Sequence, residues 1–166
     1  MTTGYGSAVR SAAVSPGLDV AVIGIGGVGV AALQGARLAG ARRIFAVDPY
    51  EWKREQALKF GATAAFADVG SAAASIAEAT RGMMCHKVIV TVGHVEGKDV
   101  ESWMGLTAKG GVCCLTGMAS VMANRRHPEP CGTLAVAEKL AGQHLWRRQP
   151  SARHPVDSRT VPAGAT

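Results

Sequence analysis

The chain has 166 residues, 48% of them hydrophobic and 5% aromatic, and a formal net charge of +6. This length suits one domain with a substantial core and is too short for two sizeable ones. No apolar run approaches the roughly 18 residues of a membrane span, and the N-terminus lacks the basic and apolar segments of a signal peptide. The composition therefore argues against a membrane protein and against a secreted one.

The excess positive charge lies towards the C-terminus. Residues 119–166 contain seven Arg and Lys against three Asp and Glu, together with five of the seven prolines. A basic segment can bind polyanions, but this one lacks a repeat or a pattern of interleaved aromatic residues. We therefore expect no specific nucleic-acid partner. Residues 1–118 have the near-neutral composition of an enzyme domain.

The four cysteines, Cys85, Cys113, Cys114 and Cys131, show no CxxC spacing. Paired spacings of that kind are typical of metal sites and of disulfide frameworks. We interpret the cysteines as buried free thiols in a reducing environment, which indicates a cytoplasmic protein.

Apolar, strand-like runs alternate with helical patterns along the chain. The predicted strands are Asp19–Ile23, Arg43–Val47, Ala64–Phe66, Val88–Val92 and Gly111–Thr116. The predicted helices are Thr3–Val14, Val28–Ala39, Glu51–Phe60, Ser71–Thr80 (capped by Ser71) and Val100–Leu106. Continuously apolar strands separated by helices indicate a parallel sheet covered on both faces. The predicted fold class is α/β, a doubly wound Rossmann-type sheet of about five strands with its ligand at the strand C-terminal ends.

The turn after the first strand reads Gly24-Ile25-Gly26-Gly27-Val28-Gly29, a GxGxxG motif between a strand and a helix. Here Gly24 permits the tight turn, Gly26 lets the backbone approach a pyrophosphate, and Gly29 lets the helix pack close to the sheet. The helix N-terminus offers unpaired N–H groups and the positive end of its dipole. The motif therefore predicts a dinucleotide site.

Asp48 ends the second strand, nineteen residues after Gly29. A carboxylate at this place accepts hydrogen bonds from an adenosine ribose and repels a 2′-phosphate. We therefore expect NAD rather than NADP. If Asp48 were lost, the nearby Arg42, Arg43 and Arg54 are candidate partners for a 2′-phosphate.

Several further segments fall at the spacing of a known family. They are Thr3–Val9, Gly24–Gly29, Ala46–Asp48, Lys53, Gly61–Thr63 and Lys109–Gly111. Over about residues 2–119 the chain resembles the coenzyme-binding domain of the zinc-dependent medium-chain alcohol dehydrogenases. Asp48-Pro49, followed by Lys53-Arg54-Glu55, is similar to the branch that keeps its NAD tightly bound and passes electrons to an external acceptor. The resemblance implies an NAD-binding domain at 1–118, with residues 1–18 as its first helix and linker, and a homo-oligomeric parent enzyme.

The resemblance also implies roles for individual residues. Asp48 and Lys53 would hold the adenosine ribose, and Gly26, Gly27 and Val28 would line the pyrophosphate. By its residue type alone, Lys53 is also explained as a solvated helix lysine.

Other residues would follow the cofactor towards its nicotinamide end. Thr91 and Val92 would wall the passage between the two riboses. Thr116, Gly117 and Met118 would offer backbone groups to the carboxamide, and Thr3 would touch the nicotinamide ring. From spacing alone, Thr91 and Thr116 are better explained as ordinary strand residues.

Zinc is where the chain departs from the family. The family polarises an alcohol with a zinc ion held by two cysteines and a histidine in a catalytic domain, and the resemblance places the last of these cysteines just upstream of Met1. The five histidines, His86, His94, His127, His144 and His154, share no ligand spacing with the cysteines. We therefore expect zinc in the parent family, but no metal ligands and no catalytic residues here.

Three functional interpretations follow. The first is a truncated NAD-binding domain that is inactive alone. The second is an active oxidoreductase completed by a partner chain. The third is a non-enzymatic NAD-binding module.

Residues 119–166 do not continue the family pattern, which would proceed to a sixth strand. The run Asn124–Pro130 is rich in Arg and Pro, and no strand-like run is recognised after it. Codons can be chosen for residues 124–165 whose reading one base out of frame resembles the family's continuation. We interpret this basic, proline-rich tail as disordered or frameshifted. The fifth strand would then be an unpaired edge, which makes the family's dimer edge doubtful here.

Overall fold

The computed structural model describes residues 2–93, 97–117 and 136–141. The helices are α1 (Thr2–Gly6), α2 (Gly27–Leu38), α3 (Glu51–Phe60), α4 (Val69–Ala79) and α5 (Gly97–Gly105). The strands are β1 (Asp19–Ile23), β2 (Arg43–Val47), β3 (Ala64–Phe66), β4 (Cys85–Val90), β5 (Thr107–Gly117) and β6 (Val136–Ala141). They form one sheet in the order β3-β2-β1-β4-β5-β6, in which only the β5–β6 pair is antiparallel. The predicted doubly wound α/β sheet with five parallel strands is confirmed.

The parallel strands are buried on both faces because their side chains alternate between two helical layers. On one face, Val20 and Val22 of β1 pack in a cluster with Leu33 of α2. On the other face, Ala21 belongs to a cluster with Ile76 of α4. Every residue of β1 is buried, as a strand covered on both sides requires. None of the helices in the described part of the chain is both long and apolar enough to span a membrane.

The first helix differs from the predicted Thr3–Val14. The α-helix covers Thr2–Gly6 and passes into a π-helical turn, Ser7–Ser11, in which the Ala12 N–H donates to the Ser7 carbonyl over 2.8 Å. Gly4 brings this segment against α2, because a Cβ on Gly4 would lie 2.0 Å from the Val28 carbonyl oxygen. The segment is therefore placed by backbone contact with α2.

The predicted cap of α4 is wrong. The helix begins at Val69, and its cap is Asp68, whose carboxylate accepts a hydrogen bond of 2.8 Å from the Ser71 N–H. Backbone and side-chain hydrogen bonds from Ser71 lower the pKa of Asp68. Both residue types are common at caps, and the aspartate occupies the position whose side chain reaches the third helical N–H.

Strands β4 and β5 begin earlier than the predicted Val88–Val92 and Gly111–Thr116. Their pairing starts at Cys85 with Thr107 and shifts register before Lys87 pairs with Val112. The irregularity contains Gly110 at φ +74°. Gly110, which precedes the predicted strand, is thus accommodated inside β5, as at a β-bulge.

A sixth strand follows β5, so the prediction of an unpaired β5 edge is wrong. β6 pairs with β5 from Val112 opposite Ala141 to Gly117 opposite Val136. The sequence did not predict β6 because charged residues interrupt its apolar pattern. An antiparallel strand at the edge of a sheet tolerates such residues. Residues 118–135 and 142–166, and with them the interpretation of a disordered or frameshifted tail, lie outside the described residues.

An ion cluster occupies the N-terminal end of β1. The carboxylate of Asp19, which is 1% exposed, lies 2.6 Å from the Arg42 guanidinium and 2.9 Å from that of Arg43. The backbone N–H of Asp19 donates to Nδ1 of His86 over 3.2 Å. Burial raises the pKa of Asp19, but the hydrogen bonds from Arg42 and Arg43 outweigh it and hold the pKa below 3.8.

We expect Asp19→Asn to lower the free energy of unfolding by about 2 kcal/mol at neutral pH, less than for a fully buried pair because Arg42 is half exposed. The folded-state pKa is depressed, so the carboxylate stabilises the fold above its unfolded pKa, and this contribution is lost as the pH falls through the folded pKa. Urea unfolding at several pH values should show the gap between wild type and variant shrinking below about pH 4. A gap independent of pH would contradict this account.

Candidate functional site

An open cavity of about 530 Å³ lies at the C-terminal ends of β1, β2 and β4. It sits where the strand order reverses, with β2 on one side of β1 and β4 on the other. Open α/β sheets bind ligands in the crevice at this switch point. The predicted residues that line it are Gly24, Gly26, Asp48, Lys53, Thr91 and Val92.

Two glycines of the motif are required by the protein's own packing. Gly24 has φ +86°, and a Cβ there would lie 2.9 Å from Cγ1 of Val92. A Cβ on Gly29 would lie 1.9 Å from the Gly24 carbonyl oxygen. That carbonyl also accepts a hydrogen bond of 2.5 Å from the Thr91 hydroxyl. Thr91 therefore ties the end of β4 to the glycine turn, in addition to lining the cavity.

The other two glycines have no such packing role. A Cβ on Gly26 or Gly27 would meet no atom within 4 Å. Gly26 is the cap of α2 and, because it has no side chain, leaves the first N–H groups of the helix without a side-chain partner from the cap. Val28, in the first turn, is partly buried. The space in front of the N–H groups of α2 is therefore open to an anionic group, which a helix N-terminus favours.

Asp48 is held at the end of β2 by backbone donors. It is 3% exposed; its Oδ2 accepts from the Ile25 N–H over 2.8 Å and its Oδ1 from the Tyr50 N–H over 3.0 Å. Nζ of Lys53 lies 3.5 Å from Oδ2. The structure thus brings together the predicted pair, Asp48 and Lys53, beside the glycine turn.

A second cavity, of about 350 Å³, adjoins α1. Thr3 and Thr116 both line it, and a chain of hydroxyl groups joins them: Thr116 donates to the Ser7 hydroxyl over 2.8 Å, and Ser7 donates to the Thr3 carbonyl over 2.8 Å. Gly117 ends β5 beside this chain, whereas Met118 lies outside the described residues. Sequence reasoning missed Ser7, for which the only signal was its helical spacing from Thr3.

A larger cavity, of about 820 Å³, lies at the opposite edge of the sheet, next to the N-terminal ends of β4 and β5. None of the predicted site residues lines it. Although this cavity has the larger volume, it is therefore not the candidate dinucleotide site.

The described cysteines do not form a metal site. Cys85, Cys113 and Cys114 are free and buried, as predicted. Burial raises the pKa of Cys85 to about 12 and that of Cys113 to about 11, which disfavours the thiolates that bind metals. Among the residues with described positions, no three His, Cys, Asp or Glu side chains are placed to hold a metal ion, so this part of the chain does not fit zinc. Cys131, His94, His127, His144 and His154 lie outside it.

Fold and cavity together define a dinucleotide-binding domain of the Rossmann type. The family model described as "Zinc-binding dehydrogenase" matches residues 27–150, and the chain belongs to this family. The match runs past residue 118, into the segment whose sequence favours a disordered or frameshifted tail.

Relatives and solved structures agree with this assignment. Alcohol dehydrogenase B of Mycobacterium tuberculosis is 61% identical over 122 residues, which cover 74% of this chain and 32% of that protein. The NDMA-dependent alcohol dehydrogenase of Amycolatopsis methanolica is 45% identical over 118 residues, 71% of this chain and 32% of that protein. Benzyl alcohol dehydrogenase from Acinetobacter calcoaceticus superposes with a TM-score of 0.67 at 25% identity, over 78% of this chain and 35% of that one. The chain thus spans about a third of the length of these proteins.

The two kinds of glycine should respond differently to substitution. We expect Gly29→Ala to destabilise the fold by about 2 kcal/mol or more, since its Cβ would collide with backbone. Gly26→Ala is the matched control and should leave the melting temperature nearly unchanged, because the added methyl group enters open space. Thermal unfolding of both variants decides this, and equal losses would contradict the separation of roles.

Proposed function

We propose that this chain binds NAD(H) in the cleft at the C-terminal edge of the sheet. The observation that carries the proposal is the position of the Asp48 carboxylate, buried against the glycine turn with Lys53 beside it and facing the cavity. A ribose has two neighbouring hydroxyl groups, each a donor and an acceptor. A carboxylate and an ammonium side by side suit both functions, since one only accepts and the other only donates.

The pyrophosphate would lie against Gly26, Gly27 and Val28. The open space at the two glycines supports this placement, because a chain packed for stability alone has no need of glycine there. At the start of α2, N–H groups without an acceptor in the helix, together with the helix dipole, stabilise negative charge. Thr91 and Val92 would bound the path to the second ribose.

The nicotinamide would lie near Thr3, Thr116, Gly117 and Met118. Support comes from the second cavity, which Thr3 and Thr116 share although they are far apart in the chain. The hydroxyl chain through Ser7 would hold the two segments in register for the ring.

We further propose that the domain serves an oxidoreductase that acts on alcohols in the cytoplasm. The names of the alcohol dehydrogenase relatives support the reaction class, and the 45% identity to an NDMA-dependent enzyme supports the branch with an external electron acceptor. Bound NAD would supply the hydride-accepting group. The residues described here would bind and orient it, and the group that activates the alcohol would come from outside them.

Cofactor preference tests the proposal. We expect NADH to bind at least about tenfold more tightly than NADPH, since a 2′-phosphate would meet the Asp48 carboxylate at close range. Asp48→Gly should narrow this gap through Lys53 and Arg54. Arg42 and Arg43, expected from the sequence to assist, are bound to Asp19 at the opposite edge of the sheet. Calorimetric titration with both nucleotides measures the preference, and equal affinities in the wild type would refute the role of Asp48.

The metal content of the purified chain tests whether the group that activates the alcohol is absent from it. We expect the purified 166-residue chain to carry well under one zinc ion per molecule and to form no NADH from alcohols. Elemental analysis after dialysis, with absorbance at the NADH band, measures both. Stoichiometric zinc that survives dialysis would show that cysteines and histidines of this chain bind the metal, and would contradict the proposal.

A further inference from the structure

Two exposed aromatic side chains flank Lys53 at the start of α3. Tyr50 is 59% exposed and Trp52 is 63% exposed. Nζ of Lys53 lies 4.7 Å from the centroid of the Tyr50 ring and 5.6 Å from that of Trp52. Both distances lie within the range of a cation–π interaction. The ammonium thus lies near three groups at once: two ring systems and the Asp48 carboxylate.

Neither aromatic residue is explained by the stability of the domain. Tyr50 is the cap of α3 and makes no side-chain capping bond, where Ser, Thr, Asp or Asn would stabilise the helix. Trp52 leaves most of a large apolar surface in water, where it contributes little to the core. Two residues that are unfavourable by these criteria, both in contact with one lysine, point to a role in ligand recognition.

The neighbouring cation, Arg54, is hydrogen-bonded to the backbone. The Arg54 guanidinium donates to the Asp48 carbonyl over 3.0 Å and to the Pro49 carbonyl over 2.7 Å. These bonds join α3 to the loop that carries the carboxylate. Of the two cations beside the ribose position, one is thus bound to backbone carbonyls and the other lies between the aromatic rings and Asp48.

We propose that Tyr50 and Trp52 form an aromatic cage that holds the Lys53 ammonium against Asp48 and so favours a ribose diol over a ribose 2′-phosphate. A free lysine is a flexible point charge that can rotate to any nearby phosphate. A lysine held against the carboxylate donates to a ribose hydroxyl but cannot move to a 2′-phosphate without losing three contacts. The inference rests on the proposed NAD(H) site and adds the residues that determine its selectivity.

A double-mutant cycle tests the cage. The variants are Tyr50→Leu/Trp52→Leu, Lys53→Met and the triple variant, with Lys59→Met on the same helix as control. We expect loss of both rings to raise the Kd for NADH about fivefold, from two exposed cation–π contacts, with NADPH affected less. The ratio of the two affinities should therefore fall. In the Lys53→Met background, removal of the rings should change neither affinity further.

Isothermal titration calorimetry with NADH and NADPH measures each corner, and thermal unfolding checks that each variant is folded. If the rings contribute equally with and without Lys53, they contact the nucleotide directly and the cage is refuted. An unchanged NADH-to-NADPH ratio in the double-leucine variant refutes it as well. If the wild type binds neither nucleotide, the proposed function itself fails, which is a separate result from failure of the cage.

Discussion

The contact of α2 with the glycine turn is the constraint on which the site depends. Because Gly29 has no side chain, the first turn of α2 reaches the Gly24 carbonyl. In this position the Ile25 N–H meets the Asp48 carboxylate at the end of β2, and the Thr91 hydroxyl meets the turn from β4. One close backbone approach thus joins the C-terminal ends of three neighbouring strands around a single cleft.

Two buried aspartates show how the same side chain serves opposite purposes. Asp19 is bound by two guanidinium groups, so its charge is neutralised within the protein and contributes to stability. Asp48 has one cation nearby, Lys53, and is fixed in position mainly by two backbone N–H groups, which carry no full charge. A carboxylate that is fixed by backbone and faces a cavity can select among ligands, whereas one enclosed by two guanidinium groups cannot.

The sequence was most informative where the backbone itself limits which residue can occur. Strands β1 to β3 agree with their predicted bounds because their apolar runs are interrupted by glycines at turns. The positions of Gly24 and Asp48 beside the cavity were predictable because each falls at a fixed spacing in the strand–turn–helix motif. β6 was not, because an antiparallel edge strand needs no continuous apolar run. Ser7, Tyr50 and Trp52 were missed since their contacts depend on distances that only the folded chain defines.

The cavity beside Asp48 and the cavity beside α1 differ in how far apart in the sequence their residues lie, and this difference affects how the chain folds. The hydrogen bond from Ile25 to Asp48 closes a loop of 23 residues, whereas that from Thr116 to Ser7 joins residues 109 positions apart. Closing a longer loop costs more chain entropy, and non-local contacts form more slowly. We expect the end beside Asp48 to form with the β1–α2–β2 unit. The cavity near α1 can form only after the last parallel strand has joined the sheet, so a partly folded chain would already hold the cavity beside Asp48 and still lack the second one.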